Sequence, residues 1–526
     1  MQITEFLLKN PTFCVSLHSK WKKVMEDFLI NEIHVSGNRN GNSLINRKMI
    51  LRVLGVLLFI EAILFLLSGC VSIIYDEPDY VYFIYCTLLN LGVGSVLVWL
   101  GRHADSTVTR RDGYCIVAFT WLLFTAFGML PFYISGVIPS ISNAFFETMS
   151  GFTTTGATIL DDIEALSHGM LFWRSFTQWI GGLGIIFFTI AVLPIFGVGN
   201  QVLFSAEATG VIHDKIHPKI SVMAKWLWFI YLLITVTVVV LLMIGGMDFF
   251  DAVCHAFATA ATGGYSTKQA SIAHWNSAYI EYVIAIFMLL ASINFSLYFM
   301  CLRGQVRQLF KDDETKAFLT SVMVITLLIT VSLVLCNGYG LERAFRVAFF
   351  QVASIHTSCG FATEDYMTWA PFTWVLLLFT MMAGGCTGST SGGIKLMRVV
   401  IILRNVKNEF NRLMHPRAVL PVKVNGQAVS QNTLATVETF VILYLICAFV
   451  GWILLVAMGV NLQDALWVVV SSMGNIGPGL GMFGPAFSWN SLPEAAKWVT
   501  SFLMLIGRLE VFGILLMFAP SFWEKR

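Results

Sequence analysis

The chain has 526 residues, of which 57 % are hydrophobic and only 12 % are charged, and its formal net charge is +2. A soluble domain carries roughly 25 % charged residues, so this composition excludes a protein that covers its whole surface for water. Apolar runs of about 20 residues recur along the chain, which is typical of transmembrane helices, whereas barrel strands alternate over segments of about 10 residues. The sequence therefore predicts an all-α polytopic membrane protein.

Ten transmembrane helices are predicted after a polar N-terminal extension, residues 1–48. They lie near residues 50–74, 80–100, 113–135, 172–195, 222–245, 276–301, 317–338, 372–403, 434–458 and 496–519. Most of the 33 Lys and Arg residues fall on the same side as the N-terminus, whereas the opposite turns are acidic or neutral. The positive-inside rule therefore predicts that both termini are cytoplasmic. The start of the chain has no apolar segment of the kind found in cleaved signal peptides.

Two leading helices, in residues 49–112, precede four units of similar pattern. The predicted unit boundaries are 113–200, 201–304, 305–425 and 426–526. Each unit has a helix, a short amphipathic segment, a loop rich in Thr and Gly, and a second helix. The short segments (141–150, 249–260, 342–356 and 463–473) cannot span a bilayer. Irregular backbone at membrane depth is tolerated only inside protein or beside a wet cavity, and four such loops around one axis would meet that condition together.

The four loops carry marked glycines at Gly156, Gly263, Gly360 and Gly477. One such loop is most simply an ordinary outer connection, but four at near-constant spacing favour a pseudo-fourfold ion pore. Potassium filters use rings of backbone carbonyls, and glycine reaches backbone angles closed to other residues. The motifs contain no carboxylate, Lys or Arg, which argues against a divalent-cation ring and an anion pore. We predict that potassium binds through backbone carbonyls, with help from hydroxyl groups, at Thr154, Thr155, Gly156, Thr262, Gly263, Ser358, Cys359, Gly360, Asn475, Ile476 and Gly477.

A glycine-rich stretch, residues 384–393, interrupts the eighth predicted span. Each interior Gly costs a helix about 1 kcal/mol, so we expect the helix to break there; a small-residue packing face is the alternative. Arg508 lies in the apolar last span, where a charge is expensive, and we expect it to face the pore below the filter and to contact this stretch or Glu510. Lys395 is either a second charge at the stretch or a side chain that reaches the membrane interface.

The four loops, the stretch Gly384 to Lys395 and the segment Ile506 to Gly513 together resemble the Trk/Ktr/HKT superfamily of potassium transporters, in its bacterial Trk-type branch. The resemblance covers residues 50–526. It implies potassium uptake across the bacterial inner membrane, and Gly156 supports potassium because serine in the first loop marks sodium-preferring relatives. It also implies a gate loop beneath the filter, formed with Arg508 by Gly384, Gly385, Thr387, Gly388, Ser389, Thr390, Ser391, Gly392, Gly393 and Lys395.

The same resemblance implies partners for the chain. Relatives work as homodimers on a cytosolic, TrkA-like ring of nucleotide-binding regulatory subunits, and membrane lipid surrounds them. We expect no nucleic-acid partner and no organic cofactor, because the glycine-rich stretch lacks the strand and helix of a dinucleotide-binding motif.

Two other classes of function stay open on the residues alone. An ion-coupled solute symporter with broken helices predicts inverted repeats, whereas these four units keep one order. A membrane-embedded enzyme would need clustered acidic, histidine or nucleophilic side chains within the spans, and the sequence offers no such cluster. Transport itself could be channel-like or coupled to protons or sodium. The pore remains the favoured hypothesis.

Overall fold

The computed structural model describes residues 45–104, 109–192 and 220–524. The predicted N-terminal extension lies almost entirely outside the described residues. Numbered in chain order, the helices are α1 Arg47–Ile74, α2 Tyr80–Leu100, α3 Arg110–Gly128, α4 Leu130–Ile134, α5 Ile141–Phe152, α6 His168–Val192, α7 Ile220–Ile244, α8 Phe249–Ala261, α9 Ala278–Ala291, α10 Phe295–Leu302, α11 Arg307–Lys311, α12 Asp313–Asn337, α13 Leu341–His356, α14 Pro371–Ala383, α15 Leu396–Met414, α16 Gln431–Ala457, α17 Leu462–Gly474, α18 Glu494–Arg508, α19 Phe512–Phe518 and α20 Pro520–Trp523.

Short elements connect these helices. Three 3₁₀ turns lie at Ser271–Trp275, Tyr366–Thr368 and Gly481–Phe483. A two-residue hairpin, β1 Lys423–Val424 and β2 Gln427–Ala428, pairs antiparallel between α15 and α16. The architecture of the described residues is otherwise helical, as the sequence predicts.

Six helical segments of the described ranges are long and apolar enough to cross a membrane: α1, α2, the joined α3–α4 segment, α7, α12 and α16. Two sharply bent pairs are long and apolar enough for one further span each when the pair is taken together, α9 with α10 at 93° and α18 with α19 at 115°. The other two predicted spans correspond to the long helix α6 and to α14 followed by α15. The multi-pass prediction is confirmed, but residues 372–403 do not form one helix.

That eighth predicted span is interrupted where its glycines cluster. Helix α14 has only 13 residues, and the chain is non-helical from residue 384 until α15 begins at Leu396. Helix α15 has 19 residues, carries several basic side chains and exposes apolar ones such as Phe410 and Leu413. The predicted helix break is therefore confirmed, and α15 is an amphipathic helix that the predicted span included only in part.

Four short helices, α5, α8, α13 and α17, have 12 to 16 residues and precede the four predicted loops. At 1.5 Å per residue each is too short to cross a bilayer. Local capping starts two of them, because Asp248 accepts from the backbone N–H groups of Phe250 and Asp251, and Asn461 accepts from that of Gln463. We call these four elements the pore helices.

The pore helices close a ring with the second helix of each unit. Helix α5 packs between α18 and α6, and α8 packs between α6 and α9. Helix α13 packs between α9 and α14, and α17 packs between α14 and α18. The last unit therefore returns to the first, which gives the described chain one central axis. The leading helices α1 and α2 pack on each other outside this ring, and α1 also contacts α3 and α6.

Candidate ion pathway

The four loops after the pore helices share one backbone conformation. In each, a residue other than glycine adopts a positive φ angle, and a glycine two positions later does the same. The φ angles are +53°, +52°, +56° and +52° at Thr154, Thr262, Ser358 and Asn475, and +83°, +78°, +88° and +99° at Gly156, Gly264, Gly360 and Gly477. The predicted fourfold repetition of the loops is thus visible in the backbone itself.

The structure corrects the register of the second loop. The conformational equivalent of Gly156, Gly360 and Gly477 is Gly264, whereas Gly263 has no positive φ and corresponds to the residue before each of those glycines. The choice of Gly263 as the marked glycine was therefore wrong by one position. Because two glycines are adjacent here, the sequence does not show directly which one is equivalent to Gly156. The spacing of threonines is a signal for Gly264, since Thr154 lies two positions before Gly156 and Thr262 lies two positions before Gly264.

The loops approach each other so closely that their glycines have no room for a side chain. A Cβ atom built on any of them would lie under 3.0 Å from a carbonyl oxygen of the next loop, a separation that real Cβ atoms essentially never show. The pairs run from Gly156 to Gly263 O, from Gly264 to Cys359 O, from Gly360 to Ile476 O and from Gly477 back to Thr155 O. We call the oxygens of Thr155, Gly263, Cys359 and Ile476 the carbonyl ring.

Each residue of the carbonyl ring is anchored by its own pore helix. The backbone N–H groups of Thr155, Gly263, Cys359 and Ile476 donate to carbonyl oxygens near the helix ends at 2.9, 2.8, 2.8 and 3.1 Å. Serine hydroxyls hold the following turn in three loops, because Ser150 donates to Ala157 O, Ser354 to Phe361 O and Ser471 to Gly477 O. These bonds fix the backbone without using the side chains as ligands.

The second loop is held from outside by Gln178 of α6, a residue that sequence reasoning missed. Ala258 replaces the serine there and has no hydroxyl. Instead, Gln178 Nε2 donates to Gly263 O at 2.6 Å, and its Oε1 accepts from the backbone N–H of Tyr265 at 3.0 Å. Gln178 is completely buried. One ring carbonyl thus has a side-chain donor of its own.

A buried ion pair braces the first two loops. Glu147 of α5 and Arg174 of α6 are both at most 2 % exposed, and Arg174 Nε lies 2.8 Å from Glu147 Oε1. Arg174 Nη1 also donates to Ser266 O at 2.9 Å, and its guanidinium lies 3.5 Å from the centre of the Tyr265 ring. Glu147 Oε2 accepts from the backbone N–H of Ile159 at 2.9 Å. This ion pair was not predicted from the sequence. The sequence signal for it is one charged residue inside each of two apolar segments.

The predicted gate loop lies between α14 and α15 and is buried, apart from the half-buried Gly388. Glu314, at the start of α12, bonds both to the gate loop and to the first turn of α15. Its Oε1 accepts from the backbone N–H and the hydroxyl of Thr387 at 2.7 and 2.8 Å, and from the backbone N–H of Met397 at 3.0 Å. Glu314 is 2 % exposed. Glu314 was not predictable from the sequence, because an acidic residue at a helix start usually caps its own helix.

The gate loop lies against three of the filter loops. The backbone N–H of Gly392 donates to Ser358 Oγ at 2.6 Å in the third loop. The hydroxyls of Thr390 and Thr262 are 3.3 Å apart, at the second loop. Gly392 also lies directly beside the carbonyl of Gly474, at the end of α17. The gate loop therefore lies next to the C-terminal ends of the pore helices.

Arg508 connects the gate loop to the remaining filter loop, the first one. Its Nη1 donates to Thr390 O at 2.8 Å, and its Nη2 donates to Gly181 O of α6 at 2.7 Å. Arg508 is 5 % exposed, and Gly181 lies against the carbonyl of Phe152, just before the first filter loop. The predicted contact of Arg508 with the gate loop is confirmed.

Two further charges belong to the same region. Lys395 is 4 % exposed and its ammonium group donates to Ser391 O, so its side chain stays at the gate loop and does not reach outwards. Glu510 pairs with Arg398 of α15 and not with Arg508. The guanidinium of Arg398 lies 3.7 Å from the centre of the Phe440 ring. Charges thus tie the gate loop and α15 to the break between α18 and α19.

Four pore helices around a carbonyl ring, with a buried glycine-rich loop and a buried arginine beside it, define a membrane protein that conducts or carries a cation. The profile of the TrkH family, described as cation transport proteins, matches residues 82–525. The chain belongs to this family.

Individual relatives are similar over nearly their whole length. The Trk system potassium uptake protein TrkH of Escherichia coli K12 is 38 % identical over 482 residues, covering 91 % of this chain and 99 % of that protein. The potassium uptake protein TrkG of the same strain is 32 % identical over 481 residues, which are 91 % of this chain and 99 % of TrkG. The crystal structure of the potassium transporter TrkH from Vibrio parahaemolyticus matches with a TM-score of 0.83 at 35 % identity, covering 91 % of this chain and 99 % of that one.

The first prediction concerns the corrected register. We expect Gly264→Ala to impair rubidium uptake and its discrimination against sodium, because its Cβ would displace the carbonyl oxygen of Cys359. Gly246→Ala is the matched control: φ is +97° but nothing lies within 4 Å, so it carries the backbone strain of about 1–2 kcal/mol without the clash. The measurement is rubidium uptake at equal membrane expression. Equal losses in both variants would show that backbone strain, and not the carbonyl ring, sets the requirement.

The second prediction concerns Glu314. Glu314→Ala leaves three donors at the gate loop without their acceptor, at a cost of about 1–3 kcal/mol for each buried group. We expect the loop to open more often and to expose the buried thiol of Cys386, which a water-soluble maleimide then labels faster in a background without other cysteines. Glu314→Gln keeps one side-chain oxygen as an acceptor, so its Cys386 should be labelled at a rate between those of the wild type and Glu314→Ala.

The neighbouring residue provides the control for this experiment. Asp313 pairs with Arg404 at 2.8 Å and has no hydrogen bond to the gate loop. Asp313→Ala should therefore leave Cys386 protected. Labelling at the wild-type rate in Glu314→Ala would contradict the assigned role of Glu314.

Proposed function

We propose that this chain is the membrane subunit of a potassium uptake system, which carries potassium through the carbonyl ring under control of the gate loop. The observation that carries the proposal is the closed carbonyl ring, in which one main-chain oxygen from each of four loops lies against the glycine of the neighbouring loop. Carbonyl oxygens of this kind replace the hydration shell of potassium in known filters. The named functions of the relatives, potassium uptake in each case, agree with this chemistry.

Main-chain ligands favour a monovalent ion. Within the described residues, no group of three or more His, Cys, Asp or Glu side chains is arranged to hold a metal ion. The four filter motifs also lack carboxylates, which divalent cations prefer. The hydroxyls of Thr153 and Thr155 bond each other at 2.8 Å, and Asn475 Nδ2 donates to Thr155 Oγ1 at 3.0 Å, so these side chains support the loops from behind. Potassium is the proposed cargo and no organic cofactor is required.

The membrane potential can drive the uptake. One elementary charge that moves across 100 mV gains about 2.3 kcal/mol, which suffices to concentrate potassium inside a cell. Channel-like passage through an opened gate therefore needs no second ion, and symport with protons or sodium would be an addition to it. The solute-symporter alternative gains nothing from the structure, because the four units close the ring in one order.

The gate loop and Arg508 form the proposed constriction. A potassium ion leaving the carbonyl ring meets a buried cation and the loop segment around Thr390 on its way inward. Opening requires the bonds from Arg508 to Thr390 O and Gly181 O to break or rearrange. These two bonds support a closed state of the proposed gate.

A cytosolic partner has a direct mechanical connection to this gate. We assign α15 and the hairpin to the cytoplasmic side, with both termini, on the positive-inside distribution. Arg404 of α15 pairs with Asp313, whose Oδ2 also accepts from the backbone N–H of Asn425 in the hairpin. The next residue, Glu314, holds the gate loop. A nucleotide-binding regulatory ring that displaces α15 would therefore pull on the gate, and the exposed apolar face of α15 suits contact with such a ring or with a second copy in a homodimer.

The third prediction tests the constriction. Arg508→Ala removes the charge and both hydrogen bonds, so we expect faster rubidium uptake per transporter. Arg508→Lys keeps a charge but cannot bridge two carbonyls with a planar fork, and should be intermediate. Arg346→Ala is the control, since Arg346 pairs with Glu281 and Glu342 away from the gate loop. Unchanged or slower uptake by a folded Arg508→Ala protein would contradict the proposal.

The fourth prediction tests the filter and the cargo. The test uses a bacterial host that lacks its own potassium uptake systems, places the protein in its inner membrane and is supplied with the cytosolic partner. In this host the wild type should restore growth at low potassium and should take up rubidium. Gly156→Ser should lose discrimination against sodium, because its Cβ would push the carbonyl of Gly263 out of the ring. Sodium competition of rubidium uptake measures the change. Failure of the wild type to take up rubidium would refute the proposed function.

A further inference from the structure

A carboxyl group without a cationic partner lies in the two leading helices, outside the ion pathway. Glu61 of α1 is completely buried, and its Oε2 accepts a hydrogen bond from Asn90 Nδ2 of α2 at 3.0 Å. Its other oxygen, Oε1, has no hydrogen-bond partner, and neither has Asn90 Oδ1. None of the ion pairs found among the described residues includes Glu61.

The two unpartnered oxygens have a common chemical explanation. An ionised carboxylate and an amide oxygen are both acceptors only, so Glu61 Oε1 and Asn90 Oδ1 cannot bond to each other while Glu61 is charged. A proton on Oε1 turns that atom into a donor, for which Asn90 Oδ1 is a suitable acceptor, while Asn90 Nδ2 keeps its bond to Glu61 Oε2. A buried carboxylate without a counter-ion costs several kcal/mol, which the protonated form avoids.

We propose that Glu61 carries a proton at neutral pH and forms, with Asn90, a proton-binding site behind the first filter loop. The site needs no ligand other than the proton. Neither side chain is a hydrogen-bond partner of the carbonyl ring or of the gate loop.

The surroundings of Glu61 supply no compensating charge. On α2, the neighbouring ionisable group is the buried thiol of Cys86. The pore helix α5 contributes Thr148, whose methyl carbon Cγ2 would lie 3.1 Å from a Cβ built at Gly128, and α6 contributes Trp173, whose Nε1 donates to Gly128 O at 2.9 Å.

The charged groups of these two neighbouring elements are engaged elsewhere. Glu147 of α5 and Arg174 of α6 pair with each other and contact the second filter loop through Ser266 O. Arg174 is therefore committed to Glu147. On α3, the nearest charged residue, Asp112, lies at the far end of the helix from Gly128, where it caps the first turn through Thr109.

The proton site has a short connection to the filter. A Cβ built at Gly128 would lie 3.2 Å from Glu61 Oε1 and 2.7 Å from the ring of Phe152. Phe152 ends α5, and the first filter loop follows it directly. Ionisation of Glu61 would thus place an unsolvated negative charge one residue layer behind that loop. We infer that the neutral acid is the form that supports the filter; this step rests on the proposed uptake function.

Infrared difference spectroscopy on the purified full-length protein tests the proton site without any transport assay. The wild type minus Glu61→Gln spectrum at neutral pH should contain the carbonyl band of a protonated carboxylic acid, which shifts in D₂O. Glu281→Gln is the matched control, because Glu281 is 5 % exposed but pairs with Arg346 at 2.9 Å and should show carboxylate bands only. Carboxylate bands for Glu61 at neutral pH would overturn the proposal.

A second variant covers the case in which Glu61→Gln folds poorly. Asn90→Ala leaves Glu61 in place and removes its amide partner, so the acid carbonyl band should persist and shift in frequency. An unshifted band would overturn the pairing of Glu61 with Asn90.

Rubidium uptake against pH tests the connection to the filter. Glu61→Gln is neutral and similar in size, so its uptake should equal that of the wild type at neutral pH. At alkaline pH it should retain a larger fraction of its uptake than the wild type, since only the wild type can ionise at this position. Identical pH profiles would overturn the connection but leave the infrared result intact. Absence of uptake by both proteins would instead count against the proposed function.

Discussion

Four loops approach one another so closely at the centre of the described chain that none of them can move alone. Each filter glycine faces a carbonyl of the next loop at a distance that excludes a side chain, and the fourth loop closes on the first. A displacement of one loop must therefore move a neighbour. The supports behind the loops are unequal, with serine hydroxyls in three of them and Gln178 in the second. The first two loops share the Glu147–Arg174 ion pair as well, so this side of the ring is braced most strongly.

Next to the carbonyl ring, the backbone polar groups at one helix break form hydrogen bonds with those at another. Backbone polar groups freed at membrane depth need protein partners, because lipid offers none. The break between α9 and α10 provides Ser292 O for the backbone N–H of Cys386, and Phe295 donates back to Gly388 O. The break between α18 and α19 includes Glu510 and Val511 at positive φ, and Glu510 is held by Arg398. The gate loop is thus held between the carboxylate of Glu314 and the guanidinium of Arg508. Its hydrogen bonds are ones that a conformational change can replace with others.

Local composition made much of this architecture predictable. Apolar runs predicted most spans, short amphipathic segments predicted the four pore helices, and clustered glycines predicted the break before α15. The contact of Arg508 with the gate loop followed from the cost of a charge in an apolar helix. These features depend on residues near each other in the sequence or on a single expensive group.

Features that depend on three-dimensional partners were not predictable in the same way. Gly263 and Gly264 are chemically identical neighbours, and only the backbone conformation shows which one faces the next loop. Gln178 and Glu314 are each a single polar residue whose partners lie on other elements. Helix α15 was partly included in a span because its first turns are apolar, although its later residues are charged. No periodicity in one sequence specifies such pairings.

Anomalous diffraction from crystals of this protein soaked in rubidium would locate the bound ion directly. If the carbonyl ring is the filter, we expect a peak on the axis, surrounded by the carbonyl oxygens of Thr155, Gly263, Cys359 and Ile476. A rubidium peak bound by side chains elsewhere, with none at the carbonyl ring, would contradict this assignment of the filter.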